Sequence, residues 1–376
     1  MNIYLDNAAT TPLDPEVFEA MKPYYTGYFG NPSSTHAHGR AAKSAIESSR
    51  KKIAQILNTS PSDIFFTSGG TEADNIAISG FVNTYEIKHV ISTKIEHPAV
   101  LNTLEELEKG NQIEISFLEL DEKGRINFDQ LELYLKDHPK SLVTLMHANN
   151  EIGNIIDLDR IGNLCYEYRS FFHSDTVQSI GKYEFDLKKI PVHAIVGSAH
   201  KFHGPKGIGF LYLNPGHKIT SIIYGGGQER NIRPGTENVA GIVGLSKAFE
   251  IAYTDLNSKR KYISLLKEKM ASELIKIIPG IKFNGSSGDF SDSLYTILSI
   301  DVPPSEKNEM ILFQLDLKNI SVSGGSACAS GALKGSHVIN EIRKKENSTT
   351  VRFSFSKYNT LKEIDYVIDT LKQLLR

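Results

Sequence analysis

Short apolar runs alternate with helical patterns through the middle of the chain, and this alternation limits the fold more than any other feature of the sequence. Several of the runs are apolar throughout, as expected for strands buried on both faces of a sheet. Strands are expected at 89–94, 114–120, 141–147, 171–175, 194–200 and 207–213, and helices at 40–57, 72–81, 99–108, 128–136 and 158–168. This pattern predicts an α/β fold with a large, mostly parallel sheet and helices on both faces.

The pattern changes after about residue 250. An amphipathic helix is predicted at 262–277, ended by Pro279 and Gly280. Three strands follow, at 296–302, 321–327 and 351–356, and then a final helix that opens with a capping box of Thr360 and Glu363. These elements predict a smaller α+β domain. Because no Pro/Gly/Ser linker separates the two parts, we expect a continuous helix at their junction.

Composition and charge exclude several classes of protein. The 376 residues carry a formal net charge of −2, which gives no overall attraction to nucleic acid or to an anionic membrane surface. No run approaches the roughly 20 apolar residues of a transmembrane helix, and the N-terminus does not have the pattern of a signal peptide. The two cysteines, Cys165 and Cys328, rule out a disulfide framework. We therefore expect a cytoplasmic protein that binds neither nucleic acid nor membrane.

Two expected strands end at residues that can do chemistry. Lys201 follows one of them in a glycine-rich turn, and Asp175 ends another. Ligands bind at the carboxyl ends of the strands in open α/β sheets, and a lysine there can form a Schiff base if its pKa is lowered. An aspartate beside a pyridine nitrogen would keep that ring protonated. A surface lysine and a turn aspartate remain the plain alternatives, and the pair His200 and His203 lacks the further ligand that a metal site needs.

Two other segments are informative. In TSGGTEADN, a Gly-Gly turn places Thr71 at the start of a helix, where main-chain N–H groups suit a phosphate, although an ordinary tight turn explains it equally well. In SGGSACASGALKGSH, small residues surround Cys328 on both sides, whereas Cys165 lies among bulky neighbours. A thiol on such a loop is suited to reach a substrate.

Together with further segments, these motifs resemble the cysteine desulfurases, the NifS/IscS-like group of aminotransferase class V. The resemblance is carried, in this order along the chain, by LDNAATTP, FGNPSSTHAHGR, TSGGTEADN, EHPAV, HANNEIG, HSDTVQSIGK, SAHKFHGPKGIGFLY, GGGQERNIRPGTENV, SGGSACASG and VRFSFSKYNT. It covers essentially the whole chain. It implies a fold-type-I homodimer that uses pyridoxal 5'-phosphate, with a large domain at 15–255 and a small domain formed by 1–14 and 256–376.

The resemblance also implies a role for each motif residue. Lys201 would form the Schiff base and move the proton at the α-carbon of the substrate. Around the cofactor ring it implies Asp175 at the nitrogen, His97 stacked on the face, Gln178 at the hydroxyl and Asn150 beside it. For the phosphate it implies Gly70, Thr71, Ser198 and His200, with Thr236 from the partner subunit.

For the substrate, the resemblance implies that Arg352, with Asn7 nearby, receives the carboxylate of L-cysteine. Cys328 would take the sulfur as a persulfide, release L-alanine, and pass the sulfur to an acceptor such as an iron–sulfur scaffold or a thiolation enzyme. A base must remove the proton of this thiol, and His97 is either that base or a stacking partner only. The chain departs from the usual pattern at Thr176, Gly325, Lys334 and Gly335.

Three alternative functions remain open at this point. Another class V pyridoxal enzyme would leave Cys328 incidental, and the composition of its loop argues against this. A selenocysteine lyase differs only in its substrate. A non-catalytic scaffold would have no reason to retain the five residues Lys201, Asp175, His97, Arg352 and Cys328.

Overall fold

The computed structural model describes residues 1–304, 310–324, 336–343 and 349–375. Within this part the helices are α1 (Pro15–Met21), α2 (Pro23–Thr26), α3 (Ala37–Ile56), α4 (Gly70–Tyr85), α5 (Pro98–Lys109), α6 (Phe128–Asp137), α7 (Leu158–Glu167), α8 (Val239–Tyr253), α9 (Leu256–Ile277), α10 (Ile311–Leu317), α11 (His337–Ile342) and α12 (Leu361–Leu374). The strands are β1 (Ile3–Tyr4), β2 (Ile64–Thr67), β3 (His89–Ser92), β4 (Glu114–Phe117), β5 (Leu142–Thr144), β6 (Phe171–Asp175), β7 (Ala194–Ser198), β8 (Gly209–Leu213), β9 (Lys282–Phe283), β10 (Ile297–Val302), β11 (Ile320–Ser321) and β12 (Thr349–Ser354). None of the described helices is long and apolar enough to cross a membrane.

A seven-stranded sheet forms the centre of the molecule, with the strand order β2-β8-β7-β6-β5-β3-β4. The five strands β7, β6, β5, β3 and β4 run parallel to one another. Strand β8 is antiparallel to both β7 and β2. The predicted α/β class with a mostly parallel sheet is confirmed. The strand predicted at 171–175 has the observed bounds, and the one predicted at 114–120 ends earlier, at Phe117.

Adjacent residues of the strands pack into different cores, because successive side chains of a strand point to opposite faces. Phe66 lies in one apolar cluster, with residues of α3, α7 and α8. Its neighbour Phe65 lies in another, with residues of α4 and α5. The sheet is therefore covered on both faces, which explains why its strands are apolar throughout.

A third apolar cluster is built from both ends of the chain. It contains Ile3 and Leu5 together with residues of α9, β10, β12 and α12. Strands β12, β10 and β9 form an antiparallel sheet there, and the predicted capping box of Thr360 and Glu363 is present at the start of α12. The division into domains at 15–255 and at 1–14 with 256–376 stays a prediction, and this separate core supports it.

The continuous helix expected at the junction is wrong. Helix α8 ends at Tyr253 and α9 begins at Leu256. Between them Asp255 has a left-handed backbone with φ of +50°, which aspartate tolerates better than most residues. The chain therefore changes direction between the two helices without needing a glycine.

A buried ion pair fixes α3 against the GGGQERN segment. The Arg50 guanidinium donates from Nη1 and Nη2 to the two carboxylate oxygens of Glu229, at 2.7 and 2.8 Å, and both side chains are buried. Glu229 also accepts the main-chain N–H of Phe66 in β2 at 2.8 Å. This geometry lets the carboxylate hold a helix, a strand and a loop together.

We expect Glu229→Ala to lower the free energy of unfolding by roughly 3–5 kcal/mol, because it removes the buried partner of the Arg50 charge and leaves only the exposed carboxylate of Glu47, at 3.2 Å. Urea unfolding measures the difference. The matched control is Glu250→Ala, which removes an exposed pair with Lys52 at 3.3 Å and should cost no more than about 1 kcal/mol. Equal effects of the two variants would contradict this account of the Arg50–Glu229 pair.

Candidate active site

A cavity of about 240 Å³ lies at the carboxyl ends of β6 and β7. Asp175 is the last residue of β6, and Lys201 follows β7 after one short turn. This is the position at which open α/β sheets bind ligands. The predicted site residues that line the cavity are Gly70, Thr71, His97, Asn150, Asp175, Gln178, Ser198, His200, Lys201 and Arg352.

Three predicted residues are not part of this lining. Asn7 is buried beside it, and its Nδ2 donates to the main-chain oxygens of Ser354, at 2.8 Å, and of Tyr4, at 3.3 Å. Thr236 is exposed and lines a different cavity, so it does not reach this one within its own chain. Cys328 lies outside the described residues, as do the departures at 325, 334 and 335.

The amino group of Lys201 contacts the N-terminal segment of the chain. Its Nζ donates to the main-chain oxygens of Ala8, at 2.7 Å, and Ala9, at 2.8 Å. The Ala8 oxygen also accepts from Nε2 of Gln178 at 2.9 Å. Two predicted site residues thus converge on one carbonyl oxygen, which no local sequence pattern signalled.

Asp175 is the buried carboxyl of the cavity. Burial raises its pKa, opposed by the nearby His97 and Lys201 and by the N–H of Val177, which donates to Oδ1 at 2.9 Å. The next residue, Thr176, which replaces a more usual alanine, donates its hydroxyl to the Val196 oxygen at 2.6 Å. The Thr176 hydroxyl therefore has its hydrogen-bond partner in β7. The Asp175 carboxylate stays available to a cation in the cavity.

His97 lies at the N-cap of α5, on the same cavity. Its Nδ1 accepts the N–H of Ala99 at 3.1 Å. Because a nitrogen that accepts carries no proton, neutral His97 has its proton on Nε2. Burial is the main cause of a lowered pKa of His97, and it favours this neutral form. The ring is thus set up to donate from Nε2.

The other end of the cavity suits an anion. Helix α4 starts there with Gly70, and no side chain caps its N-terminus. A Cβ at Gly70 would come within 2.7 Å of Cγ2 of Val177, so only glycine allows this close approach. Ser198 and His200 line the same cavity. Free N–H groups and the positive end of the helix dipole stabilise a phosphate at such a place.

Arg352 supplies a buried cation at the cavity wall. Its Nη1 donates to the Asn150 oxygen at 2.7 Å, and its Nη2 donates to Oδ1 of Asp6 at 2.9 Å. Its Nε is buried and has no partner among the described residues. The guanidinium is therefore held from both sides by the protein, with capacity left for a carboxylate.

Two buried acids near the cavity escaped the sequence analysis. Asp74, on α4, lies 3.4 Å from Nε2 of His173, and burial raises its pKa well above the ordinary value. Glu96, next to His97, accepts the hydroxyl of Thr93 at 3.1 Å and the N–H of Met146 at 3.0 Å through Oε1. Its Oε2 has no described partner. An acidic residue inside the motif EHPAV was the available signal.

Glu96 gives the free energy of unfolding a pH dependence. Burial is the main cause that raises its pKa from 4.5 to about 8. The folded protein therefore keeps this proton up to about pH 8, whereas the unfolded chain releases it near pH 4.5, so stability falls as the pH rises between these values. Glu96→Gln keeps the acceptor for Thr93 and Met146 and removes the titration.

We expect the Gln variant to match the wild-type apo protein at pH 4.5 and to be more stable at pH 8, by an amount on the order of 2 to 4 kcal/mol. Urea unfolding at several pH values measures this difference. Parallel pH profiles for the two proteins would contradict the assignment of this titration to Glu96.

Comparison with known proteins identifies the family. The aminotransferase class-V family matches residues 3–367. The chain is 41% identical to cysteine desulfurase IscS of Dictyoglomus turgidum, over 99% of this chain and 94% of that protein. It is 40% identical to cysteine desulfurase IscS of Methanosarcina thermophila, over 100% of this chain and 92% of that one.

Solved structures agree with these sequences. A NifS-like protein superposes with a TM-score of 0.91 at 35% identity, over 100% of this chain and 99% of that chain. The structure of SspA in complex with cysteine gives a TM-score of 0.83 at 32% identity, over 95% of this chain and 100% of that chain. The likeness thus extends over both the central sheet and the core built from the chain ends. The chain belongs to aminotransferase class V, and within it to the NifS/IscS-like cysteine desulfurases.

Proposed function

We propose that this protein is a pyridoxal-phosphate-dependent cysteine desulfurase, which converts L-cysteine to L-alanine and takes the sulfur onto Cys328 as a persulfide. The observation that carries the proposal is that one cavity brings together a lysine, a buried aspartate, an uncapped helix N-terminus and a buried arginine. Each has the chemistry that one part of the cofactor or the substrate requires. The relatives named cysteine desulfurase support the same reaction.

The unsatisfied groups of the cavity fit this cofactor. The buried Oε1 of Gln178 has no partner among the described residues, and it is suited to a ring hydroxyl. Asp175 would hold the ring nitrogen, His97 the ring face, and Lys201 the aldehyde carbon. The N-terminus of α4, with Ser198 and His200, would hold the phosphate. When bound, pyridoxal phosphate supplies an electron sink for the electron pair left at the α-carbon of the substrate.

The side chains then have separate tasks. Arg352 binds the substrate carboxylate through its guanidinium and so orients the α-carbon. The Lys201 amine takes the proton from this carbon and later returns a proton to the product. The Asp175 carboxylate would stabilise the positive charge on the protonated ring nitrogen of the cofactor. All three groups line the same cavity.

Cys328, the predicted nucleophile, takes the sulfur from the substrate. The thiolate of Cys328 attacks the sulfur of L-cysteine, a sulfur–sulfur bond forms, and the carbon–sulfur bond breaks. The carbon retains the bonding electrons and gains a proton, so L-cysteine and a thiol yield L-alanine and a persulfide. No external oxidant or reductant is consumed. Transfer onward requires an acceptor protein, and an iron–sulfur scaffold or a thiolation enzyme has the required chemistry.

A homodimer is part of the proposal. Because Thr236 does not line the cavity of its own chain, its expected place at the phosphate requires a second copy. Large aromatic side chains on and after α1 and α2 are also exposed, among them Tyr25 at 63% and Phe29 at 69%. Sedimentation equilibrium of the cofactor-loaded protein tests this proposal, and a monomer at micromolar concentration would contradict it.

The experiment that tests the reaction compares substrates. The purified protein, loaded with pyridoxal phosphate, is given L-cysteine or L-selenocysteine in the presence of a reducing thiol, and alanine is quantified. We expect alanine from L-cysteine. Alanine from L-selenocysteine only would assign the chain to the selenocysteine lyases, and alanine from neither would favour another class V reaction.

A further inference from the structure

A second histidine lines the same cavity. His337 is the first residue of α11, and it enters the cavity from the wall that also contributes Glu151. The residue before it, Ser336, caps this helix by accepting the N–H of Ile339 at 3.1 Å, and it donates its hydroxyl to the buried carboxyl of Glu151. These bonds hold His337 in place at the cavity.

Its ring has a defined tautomer. Nε2 of His337 lies 2.9 Å from the main-chain oxygen of Glu96. A carbonyl oxygen only accepts, so Nε2 must carry the proton and donate it. In the neutral ring Nδ1 is then an acceptor with a lone pair. No described group hydrogen-bonds to Nδ1, and this atom is not among the fully buried unpaired atoms.

The hydrogen bonding of His97, the other histidine at the cavity, is the opposite of that of His337. The lone pair of Nδ1 of His97 is occupied by the N–H of Ala99, and its Nε2 carries the proton. His97 therefore can donate into the cavity but has no vacant nitrogen to take up a proton. Of these two neighbouring histidines, His337 has the free basic nitrogen.

We propose that His337 is a further catalytic residue, whose Nδ1 accepts the proton of a thiol brought into the cavity. This inference rests on the proposed function, which requires a thiolate. The S–H bond breaks and an N–H bond forms, leaving a thiolate and an imidazolium, and the imidazolium then returns its proton to water. The thiol is either that of L-cysteine or the chain's own thiol, and the experiment distinguishes the two.

The charges around the ring suit this task. Glu151 interacts electrostatically with His337 and is the acid that an imidazolium would face. The buried Glu96 side chain and neutral His97, the N-cap of α5, both come just before that helix, and Arg352, which lines the same cavity, opposes a second positive charge. On its own helix, Glu341 is paired with Lys94 at 3.7 Å. The imidazolium thus has one acidic neighbour and one cationic one.

The test uses His337→Gln, whose side-chain amide keeps the donor to the Glu96 oxygen and removes the basic nitrogen. With cofactor-loaded protein we expect kcat/KM for L-cysteine at pH 7 to fall by about 10²-fold. The acidic limb of its pH profile should disappear, with KM little changed. His337→Asn is the second variant, in case the glutamine variant binds the cofactor poorly.

A second readout needs no turnover. The rate of alkylation of the apo protein by iodoacetamide is followed against pH, and because Cys165 is buried it reports the other thiol. A higher alkylation midpoint in His337→Gln assigns the chain's own thiol as the proton source. An unchanged midpoint with an altered kcat/KM profile assigns the thiol of L-cysteine.

Wild-type values in both readouts would overturn the role of His337. A wild-type protein that forms no alanine would instead refute the proposed function. A raised alkylation midpoint in His337→Gln would still support the role of His337 in that case, so the two failures are distinguishable.

Discussion

Replacing Lys201 by alanine is expected to abolish alanine formation from L-cysteine, with a loss of at least about 10³-fold in kcat. The residue has two tasks in the proposed reaction, holding the cofactor covalently and moving the proton at the α-carbon, and no other described amine lies at the end of β7 on this cavity wall. The measurement is steady-state alanine formation, together with reduction by borohydride and peptide mapping. Wild-type protein should carry the reduced cofactor on Lys201, and the variant should carry none.

The matched control is Lys206→Ala. Lys206 lies in the same turn, five residues further on, is exposed, and does not line the cavity. It should keep activity within about threefold, as expected for an exposed residue outside the site. Covalent cofactor on a lysine other than Lys201 in the wild-type protein would contradict the assignment.

Asp175→Asn is the second substitution for which we expect a large effect, a fall in kcat of at least about 10²-fold. The amide keeps an oxygen for the N–H of Val177 but removes the negative charge from the buried end of β6. Without that charge, the protonated ring nitrogen of the bound cofactor would no longer be stabilised. The cofactor would then be a weaker electron sink for the substrate. The affinity for pyridoxal phosphate, measured by equilibrium dialysis, should also weaken.

Asp175→Glu separates charge from shape. It restores the carboxylate at a slightly displaced position, so it should recover part of the activity that the asparagine variant loses. If the asparagine variant had wild-type kcat, the charge of Asp175 would have no part in the reaction. If the asparagine and glutamate variants were equally impaired, the position of the carboxylate would matter as much as its charge.

Much of the site could be predicted because it lies at strand ends, which periodicity locates. The run FFHSD ends β6 at Asp175, and the run before Lys201 ends β7 at Ser198, so the sequence alone predicts that both groups lie at one edge of the sheet. Parallel strands bring their carboxyl ends together. The resemblance to the family then implied a role for ten residues of the lining.

Contacts between distant segments could not be predicted in the same way. The Ala8 oxygen meets Lys201 across 193 positions of sequence, and Glu229 meets Arg50 across 179. Local spacing contains no information about such partners. The same holds for Asn7, since only the fold shows that its amide is engaged by the main chain of Ser354 and Tyr4.

Hydrogen-bond direction also required the structure. Sequence alone left His97 as either a base or a stacking partner. Because its Nδ1 accepts the N–H of Ala99, its Nε2 carries the proton, so the ring is a hydrogen-bond donor rather than a base. His337 was not singled out at all, because a single histidine after a run of small residues in the sequence has no distinguishing pattern. Its tautomer follows only from the carbonyl oxygen of Glu96.

The central claim is that this chain moves sulfur from L-cysteine to Cys328, and a single-turnover experiment tests it most directly. Cofactor-loaded protein is mixed with one equivalent of L-cysteine per chain and no other thiol, alanine is quantified, and the intact protein is weighed by mass spectrometry. The account predicts one equivalent of alanine per chain and a gain of one sulfur atom that a reductant removes, with neither in Cys328→Ser. Equal alanine from Cys328→Ser, or no alanine from the loaded wild-type protein, would contradict it.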